Sequence, residues 1–391
     1  MSKPLEGVYA ALTTPFADDE IAADKLRDNV RKYNRTDLAG YLVLGSTGES
    51  VSLTDGESLQ LVEAVIAAAA PEKKILVGTA RESTKGTIDF TNSLAGRGVT
   101  AALVRPPSYF KSKMTREALN THYLAVAEAS KLPVLIYNIP QTTGISLEPQ
   151  LVIDLAPHPN IVGLKESSGS LAFLSEVVRE VPADFHYFLG SGHIVYPGLE
   201  MGADGAILAV ANAAPEMSAE IFRLFKAGKK DEARRLQLDL VPLSKALVEV
   251  YGIAGLKYAL DLRGYYGGPA RLPFSRSMTR PSRTSPSCSR PWDTEVLPSR
   301  SWIRFQGSHL EAARGIASII RDKTLTQIFR RNPPPCMLRR TSALRSLRSL
   351  HKDGPCTLLR QHSPCVSPAA GSGEADCRTR NRPVAAATFR S

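Results

Sequence analysis

Eight short apolar runs recur through the first two thirds of the chain, and they constrain its fold more than any other feature. The runs are continuous rather than alternating, as expected for strands that are buried on both faces. Segments with helical periodicity separate most of them; Leu59, Val62, Val65 and Ala69, for example, share one face of a predicted helix. The predicted strands cover residues 7–12, 40–44, 74–77, 100–104, 133–137, 161–165, 186–189 and 205–209.

Eight strand–helix units within about 210 residues predict an α/β fold of the TIM (β/α)₈ barrel type. An open doubly wound sheet would usually carry a glycine-rich phosphate loop after its first strand. Here the first strand leads into the sequence TTPF at 13–16 instead. Helix starts are indicated by Thr54, which forms a capping-box pattern with Glu57, and by Thr115.

Three further helical segments follow the last predicted strand, near 215–226, 230–251 and 253–262. We therefore expect a catalytic barrel over residues 1–214 and a C-terminal helical extension over 215–274. At Phe274 the composition changes abruptly, which predicts a boundary there.

Residues 275–391 form a basic tail that differs from everything before it. They hold 21 of the chain's 49 basic residues but only 7 of its 38 acidic ones, so the net charge of +11 arises there. All five cysteines also lie in the tail, without the CxxC spacing of a zinc site. Its content of Arg, Ser and Pro predicts a largely disordered segment. A shifted reading frame in a GC-rich gene would give the same composition, and that alternative stays open.

Several partners are not expected from the sequence. No run approaches the roughly 20 apolar residues that cross a bilayer, and the N-terminus lacks the apolar core of a secretory signal, so we expect a cytoplasmic protein with no membrane partner. The arginine-rich tail lacks interleaved aromatic residues and any recognisable nucleic-acid module. The histidines of the first 274 residues show no metal-binding spacing, and no metal or cofactor is expected.

Lys165 ends one of the apolar runs and is followed at once by ESSG. A parallel barrel places its active site at the C-terminal ends of its strands. A partly buried lysine there loses its charge more readily, and a neutral amine is a nucleophile towards carbonyl carbon. The pattern indicates Schiff-base chemistry, although a lysine with a buried stem and a solvated head would give the same sequence.

Other polar side chains follow neighbouring strand ends. Ser46 and Thr47 lie between glycines, which suits the binding of a small carboxylate but also suits an ordinary strand-to-helix turn. Tyr137 at a barrel mouth can move protons, although a tyrosine with its ring in the core is more common. Tyr109 places a second phenol on a loop. His193, beside glycines, is more typical of a loop residue than of a catalytic base.

Four motifs together resemble the dihydrodipicolinate synthase / N-acetylneuraminate lyase family of class I aldolases. They are GSTGES at 45–50, YNIP at 137–140, GLKESSG at 163–169 and GADGAILAVAN at 202–212, and the likeness extends over about residues 5–274. The resemblance implies a TIM barrel with a C-terminal helical extension, assembled as a homo-oligomer, either a dimer or a tetramer. It also implies a small 2-oxo acid substrate and no cofactor beyond the covalent Schiff base.

The same resemblance implies a role for each matching residue. Lys165 is expected to form the Schiff base with pyruvate or another 2-oxo acid, and Tyr137 to donate and accept protons. Thr47 is expected to relay protons between Tyr137 and Tyr109, which reaches in from a neighbouring subunit. Ser46 and Thr47 are expected to hold the pyruvyl carboxylate. Two further positions are expected to line the pocket near the Schiff base, namely Gly190 and the carbonyl of Ile207.

The second substrate depends on departures from the family pattern. Dihydrodipicolinate synthases are expected to carry an arginine two residues after the YNxP proline, and Thr142 stands there, so we take it as a substrate-binding position without that charge. Residues expected for lysine feedback are replaced by Asp55, Ser58 and Glu82. The closest family likeness runs through the segments at 158–169 and 252–273, and the latter resembles mitochondrial-type 4-hydroxy-2-oxoglutarate aldolases.

These departures favour retro-aldol cleavage of a 4-hydroxy-2-oxoglutarate-like substrate to pyruvate and an aldehyde, glyoxylate. The alternative within the family is 4-hydroxy-tetrahydrodipicolinate synthase, which condenses pyruvate with aspartate semialdehyde in lysine biosynthesis. A third hypothesis is a catalytically impaired barrel that still binds pyruvate, because the basic tail replaces the terminal helix that the family is expected to have.

Overall fold

Eight parallel strands close into a barrel, which confirms the fold predicted from the apolar runs. The computed structural model describes residues 3–274. The strands of the barrel are β1 (Gly7–Ala11), β4 (Gly40–Val43), β5 (Lys74–Gly78), β6 (Ala101–Val104), β7 (Val134–Asn138), β8 (Ile161–Glu166), β9 (His186–Leu189) and β10 (Gly205–Leu208). Around the barrel they follow the order β1-β10-β9-β8-β7-β6-β5-β4.

A short antiparallel hairpin, β2 (Phe16–Ala17) and β3 (Glu20–Ile21), lies between the first two barrel strands in the chain. Its two turn residues, Asp18 and Asp19, have φ of 50° and 69°. Aspartate tolerates this left-handed region better than most residues, and two such residues in succession are typical of a tight hairpin turn. This hairpin was not predicted from the sequence, because each strand has only two residues.

The barrel strands are buried on both faces, as their continuous apolar character predicts. Side chains such as Leu42, Leu135 and Phe188 fill the interior of the barrel. Neighbours one position away, such as Tyr41 and Ile136, pack outwards against the helices. Each large apolar side chain removed from water stabilises the fold by about 1.5–3 kcal/mol, so both layers hold the barrel closed.

Helices cover the outside of the barrel. Thr54 and Glu57 form the predicted capping box at the start of the helix Asp55–Ala68, and the Thr115 side chain accepts from the Ala118 N–H at the start of the helix Arg116–Ala129. The helices up to the last barrel strand are α1 (Ala23–Tyr33), α2 (Asp55–Ala68), α3 (Thr84–Ser93), α4 (Arg116–Ala129), α5 (Pro140–Thr143), α6 (Pro149–Leu155), α7 (Leu171–Glu180) and α8 (Val195–Glu200).

Within residues 3–274, three α-helices follow the last strand: α9 (Pro215–Lys226), α10 (Lys230–Ser244) and α11 (Gly252–Leu262). The predicted segment over 230–251 is helical as expected, but Lys245–Val250 near its end form a π-helical turn that follows α10. Pro242 lies inside α10. A proline has no N–H to donate and crowds the preceding turn, which disturbs the α-helical hydrogen bonds nearby.

Within residues 3–274, none of the helices combines the length and the apolar character that crossing a membrane would require. The expected basic, disordered tail at 275–391 lies outside the described residues, so the domain boundaries proposed from the sequence stay predictions.

Candidate functional site

Lys165 and Tyr137 lie side by side at the C-terminal end of the barrel. Lys165 is the fifth residue of β8 and pairs in register with Tyr137 of β7. The Lys165 Nζ atom lies 4.2 Å from the centre of the Tyr137 ring. Both side chains are almost fully buried, at 3% and 5% exposed. The structure therefore brings together an amine and a phenol at the position where barrels carry their active sites.

Strand alternation separates Lys165 from the carboxylate beside it in the chain. Successive side chains of a strand point to opposite faces. The Glu166 carboxylate therefore points away from Lys165 and forms its hydrogen bonds outside the site. It accepts hydrogen bonds from the Ser168 N–H at 2.6 Å, the Gly169 N–H at 3.3 Å and the Asn138 amide at 3.2 Å. No carboxylate of residues 3–274 forms a salt bridge with Lys165. Lys165 is thus not tied to an acidic side chain in this part of the chain.

The GSTGES loop leaves β4 through a strained backbone. It forms two 3₁₀ turns, Ser46–Gly48 and Ser50–Ser52. Leu44 and Glu49 adopt left-handed conformations with φ of 58° and 55°. Such conformations cost about 1–3 kcal/mol each for residues other than glycine, and they persist only where the surroundings enforce them.

Neighbouring residues enforce the shape of this loop. The Thr14 hydroxyl donates to the Gly48 carbonyl at 2.6 Å. On the next strand, Gly78 leaves the space that the Leu44 carbonyl occupies, since a Cβ at Gly78 would lie 2.1 Å from that oxygen. The loop therefore has a defined shape before any ligand binds.

A buried ion pair fastens the same loop to the C-terminal helices. Glu49 Oε1 lies 2.5 Å from Lys257 Nζ, and the two side chains are 0% and 1% exposed. Glu49 also accepts the Arg271 backbone N–H at 2.9 Å, while Lys257 donates to the Pro269 carbonyl at 2.7 Å. Burial lowers the pKa of Lys257, and the adjacent Glu49 opposes this shift. This contact could not be predicted from the sequence, because nothing there pairs two residues so far apart in the chain.

A cavity of about 610 Å³ opens beside Tyr137. Three of the residues predicted for the site, Ser46, Tyr109 and Tyr137, line it, together with the cations Arg81, Arg105 and Lys111. The predicted residues that do not line this cavity are Thr47, Thr142, Lys165, Gly190 and Ile207.

Those other predicted residues occupy well-defined positions nearby. Thr47 is half-buried in the first 3₁₀ turn of the GSTGES loop. Ile207 is fully buried inside the barrel. Gly190 follows β9 and donates its N–H to the Glu166 carbonyl at 2.6 Å; a Cβ there would lie 1.8 Å from Ser167 Oγ, so only glycine fits. Thr142 is exposed on α5, with its hydroxyl 3.5 Å from the Ile139 carbonyl.

The expected chain of hydroxyls is not formed within a single molecule. Among residues 3–274, no hydrogen bond links Tyr137, Thr47 and Tyr109. Tyr109 is 79% exposed and packs edge to face against Phe110, which is 68% exposed. The backbone of the Tyr109 loop is nevertheless fixed, because Glu82 accepts the N–H groups of Ser108 and Tyr109 at 2.8 and 2.9 Å.

His193 follows β9 and contacts a residue that sequence reasoning did not identify. Its Nδ1 atom lies 3.1 Å from Glu249, in the π-helical turn after α10. This contact ties a loop at the barrel mouth to the helical extension. It agrees with the interpretation of His193 as a loop residue. In the part of the chain described, His, Cys, Asp and Glu form no group of three or more that could hold a metal ion.

The sequence of this chain is similar to those of known enzymes. The profile of the Dihydrodipicolinate synthetase family matches residues 4–284. The 4-hydroxy-tetrahydrodipicolinate synthase of Listeria welshimeri serovar 6b is 36% identical over 269 residues, which cover 68% of this chain and 91% of the relative.

Solved structures described as dihydrodipicolinate synthases superpose on this chain. DHDPS from Cyanidioschyzon merolae, solved with lysine bound, superposes with a TM-score of 0.69 at 26% identity and covers 82% of this chain and 98% of its own. A structure described as the first monomeric dihydrodipicolinate synthase variant has a TM-score of 0.68 at 26% identity and covers 81% and 97% of the two chains.

Proposed function

This chain belongs to the dihydrodipicolinate synthetase family, whose members are class I lyases and aldolases, and we propose that it acts as a pyruvate-dependent enzyme of this class. Enzymes of this family form a covalent Schiff base on a lysine and use no metal or organic cofactor. Lys165 is the Schiff-base lysine of this chain, and pyruvate is the 2-oxo acid that it binds. The observation that carries the proposal is the register pair of Lys165 and Tyr137 at the barrel mouth.

The chemistry follows from the two side chains. The Lys165 ammonium loses a proton, and its amine attacks the C2 carbonyl carbon of pyruvate to form a carbinolamine. Tyr137 donates its phenolic proton to the carbinolamine hydroxyl, which leaves as water, and the resulting iminium ion acidifies the adjacent methyl group. The Tyr137 oxygen then takes one methyl proton, giving an enamine that attacks an aldehyde carbon, and Tyr137 returns this proton to the new alkoxide. Water hydrolyses the product iminium and releases Lys165. The reverse sequence cleaves the same carbon–carbon bond.

The pyruvate carboxylate has a proposed site in the GSTGES loop. Ser46 and Thr47 supply hydroxyls, and the side chains of both make no hydrogen bond to other groups within residues 3–274. The enforced shape of the loop, held by Thr14 and by the Glu49–Lys257 pair, lowers the cost of ordering it around a ligand. Gly190 and the Ile207 carbonyl remain proposed lining groups.

We infer that the second substrate is aspartate 4-semialdehyde, so that the reaction is the condensation carried out by 4-hydroxy-tetrahydrodipicolinate synthases. The name of the Listeria relative, 4-hydroxy-tetrahydrodipicolinate synthase, supports condensation rather than cleavage. The cleavage of 4-hydroxy-2-oxoglutarate, preferred from the sequence, receives no specific support from the comparisons. It remains the second candidate on one observation: the neutral Thr142 stands where the synthases are expected to carry an arginine.

A direct comparison of the two reactions tests this assignment. Purified protein is assayed with pyruvate plus aspartate semialdehyde, and separately with 4-hydroxy-2-oxoglutarate for pyruvate release. We expect the condensation to have the larger kcat/KM. A larger kcat/KM for cleavage would reverse the assignment. A pyruvate adduct with no turnover in either assay would favour the impaired barrel.

We also propose a homo-oligomer in which Tyr109 completes the site of a neighbouring subunit. Three large apolar side chains lie exposed near the cavity: Val51 at 76%, Tyr109 at 79% and Phe110 at 68%. Such a patch is typical of a protein interface. One solved relative is described as a monomeric variant, so this assembly needs its own test. The cytoplasmic location expected from the sequence stays a prediction.

A further inference from the structure

The cavity beside Tyr137 carries three cationic side chains, and two of them are neutralised. Arg81 contacts Asp55, with Nη2 2.6 Å from the carboxylate. Arg105 contacts Glu82 at 2.8 Å. Lys111 also lines the cavity, yet it forms no ion pair with any residue in 3–274. Lys111 is therefore the cation that this wall offers to an anionic ligand.

The Lys111 side chain lies against the turn that follows β7, the strand of Tyr137. A Cβ added at Gly144 would lie 2.8 Å from Lys111 Nζ, 3.1 Å from its Cε and 3.3 Å from its Cδ. Gly144 has a φ of 66°, in the region that favours glycine, so the turn has both the shape and the space for this side chain. The ammonium consequently lies beside the turn that carries Thr142, which has no charge.

The aldehyde partners of both candidate reactions share one chemical feature. Aspartate semialdehyde and glyoxylate each carry a carboxylate in addition to the reacting carbonyl. An anion that enters a partly closed cavity needs a cationic or hydrogen-bonding partner to offset its lost hydration. Neither Thr142 nor the paired arginines provide a free cation for that role.

We propose that Lys111 is the specificity-determining residue for the second substrate, and that its ammonium binds the carboxylate of the aldehyde. This inference rests on the proposed function, since it assumes that an enamine forms on Lys165. Arg81 and Arg105 are instead paired with the carboxylates of Asp55 and Glu82. The Arg105–Glu82 pair belongs to the anchor of the Tyr109 loop, where the Glu82 carboxylate also accepts two backbone N–H groups.

Steady-state kinetics of the Lys111→Met variant test the assignment. Methionine keeps much of the stem and removes the charge. At saturating pyruvate we expect the KM for aspartate semialdehyde to rise about 10- to 100-fold, the effect of losing one charged hydrogen bond. The KM for pyruvate is expected to stay within about twofold, because pyruvate binds at Lys165 and the GSTGES loop. Lys111→Arg should restore most of the loss.

The chain offers a matched control in the same 3₁₀ turn, Lys111–Lys113. Lys113 is exposed like Lys111 but does not line the cavity, so Lys113→Met should leave the aldehyde KM unchanged. Equal KM values for the aldehyde in the Lys111→Met and Lys113→Met variants would overturn the proposal.

A second readout needs no aldol turnover. Enamine formation exchanges the methyl protons of pyruvate with D₂O, and NMR follows this exchange. Succinate semialdehyde, which carries a carboxylate, should inhibit the exchange in wild type at about 10- to 100-fold lower concentration than in Lys111→Met. Butanal, which lacks the carboxylate, should inhibit both proteins equally.

The outcomes separate the two claims. Exchange in wild type, with equal inhibition of both proteins by succinate semialdehyde, overturns the Lys111 assignment alone. If wild type shows neither exchange nor a pyruvate adduct on Lys165, the proposed function fails and the Lys111 assignment fails with it.

Discussion

At the level of single residues, the proposed chemistry depends on which face of the barrel each side chain occupies. Lys165 and Tyr137 are adjacent in register and point into the barrel mouth. Glu166, one residue further along, is buried elsewhere and accepts three hydrogen bonds. A shift of one residue in strand register would exchange the faces of Lys165 and Glu166. The apolar pairs of β7 and β8 on both faces make such a shift costly.

The role of Tyr137 predicts the effect of removing one oxygen atom. We expect Tyr137→Phe to slow pyruvate methyl exchange about 10²- to 10⁴-fold, the usual contribution of a general acid–base group. The pyruvate adduct on Lys165 should still form at equilibrium. Tyr187→Phe is the control, because the Tyr187 hydroxyl is buried without a hydrogen-bond partner among residues 3–274. Unchanged exchange in Tyr137→Phe would rule out the assigned role.

His122 predicts a pH dependence of stability. Burial lowers its pKa to about 4, from the 6.5 of an exposed histidine, although the nearby Glu82 opposes the shift. Between these pH values the unfolded chain binds a proton that the folded chain does not. The contribution to stability is therefore complete above about pH 6.5 and falls as the pH drops towards 4.

Urea unfolding of wild type and His122→Gln at several pH values checks this expectation. From about pH 7.5 to about pH 4.5, wild type should lose about 2.5 kcal/mol more unfolding free energy than the variant, which lacks the titrating group. Parallel stability curves for the two proteins would show that His122 is not titrating as described.

At the level of elements, the GSTGES loop and the C-terminal helices depend on each other. The loop follows β4, whereas Lys257 belongs to α11 and Arg271 comes after it. The buried Glu49–Lys257 pair and the Arg271 backbone N–H connect them. A buried ion pair adds little net stability, yet the loss of one partner leaves an unpaired buried charge.

Lys257→Met is therefore expected to lower the free energy of unfolding by about 3–5 kcal/mol. Adding Glu49→Gln to this variant should recover part of the loss, because the unpaired charge is removed. Lys85→Met, which breaks an exposed pair with Asp89 on one helix, should change stability by no more than about 0.5 kcal/mol. Urea unfolding measures the free energy of unfolding of all three variants. A small loss in Lys257→Met would contradict the proposed role of the Glu49–Lys257 pair in connecting the loop to the C-terminal helices.

The sequence predicted elements well where one physical signal dominated. Eight continuous apolar runs identified eight barrel strands, with ends that differ by one residue at most from those observed. The β2–β3 hairpin escaped because strands of two residues carry no periodicity. The π-helical turn after α10 escaped because its side chains keep a helical pattern. Lys111 and Glu249 escaped because their contacts join segments that are far apart in the chain, and only the closed fold brings those segments together.

Motif spacing placed Lys165 and Tyr137 at strand ends, and the structure places them together there. The wall of the adjacent cavity could not be predicted in the same way. Arg81, Arg105 and Lys111 come from two different loops, and their pairing with Asp55 and Glu82 depends on side-chain geometry. Which of the three cations is free is therefore a property of the fold rather than of a motif.

At the level of the whole molecule, the exposed patch beside the cavity predicts self-association. Val51→Asp places a charge in the apolar patch formed with Tyr109 and Phe110, and it should shift the protein towards monomer in sedimentation velocity. Met201→Asp is the control, since Met201 is 38% exposed and lies outside this patch. An unchanged sedimentation profile for Val51→Asp would place the interface elsewhere.

The central claim is that Lys165 forms a Schiff base with pyruvate, and borohydride trapping tests it most directly. The protein is incubated with pyruvate, reduced with borohydride, and its intact mass and the modified peptide are determined. We predict one stable pyruvate adduct per chain, located on Lys165 and absent from Lys165→Arg. The absence of an adduct from correctly folded wild-type protein, or its location on another lysine, would contradict the account.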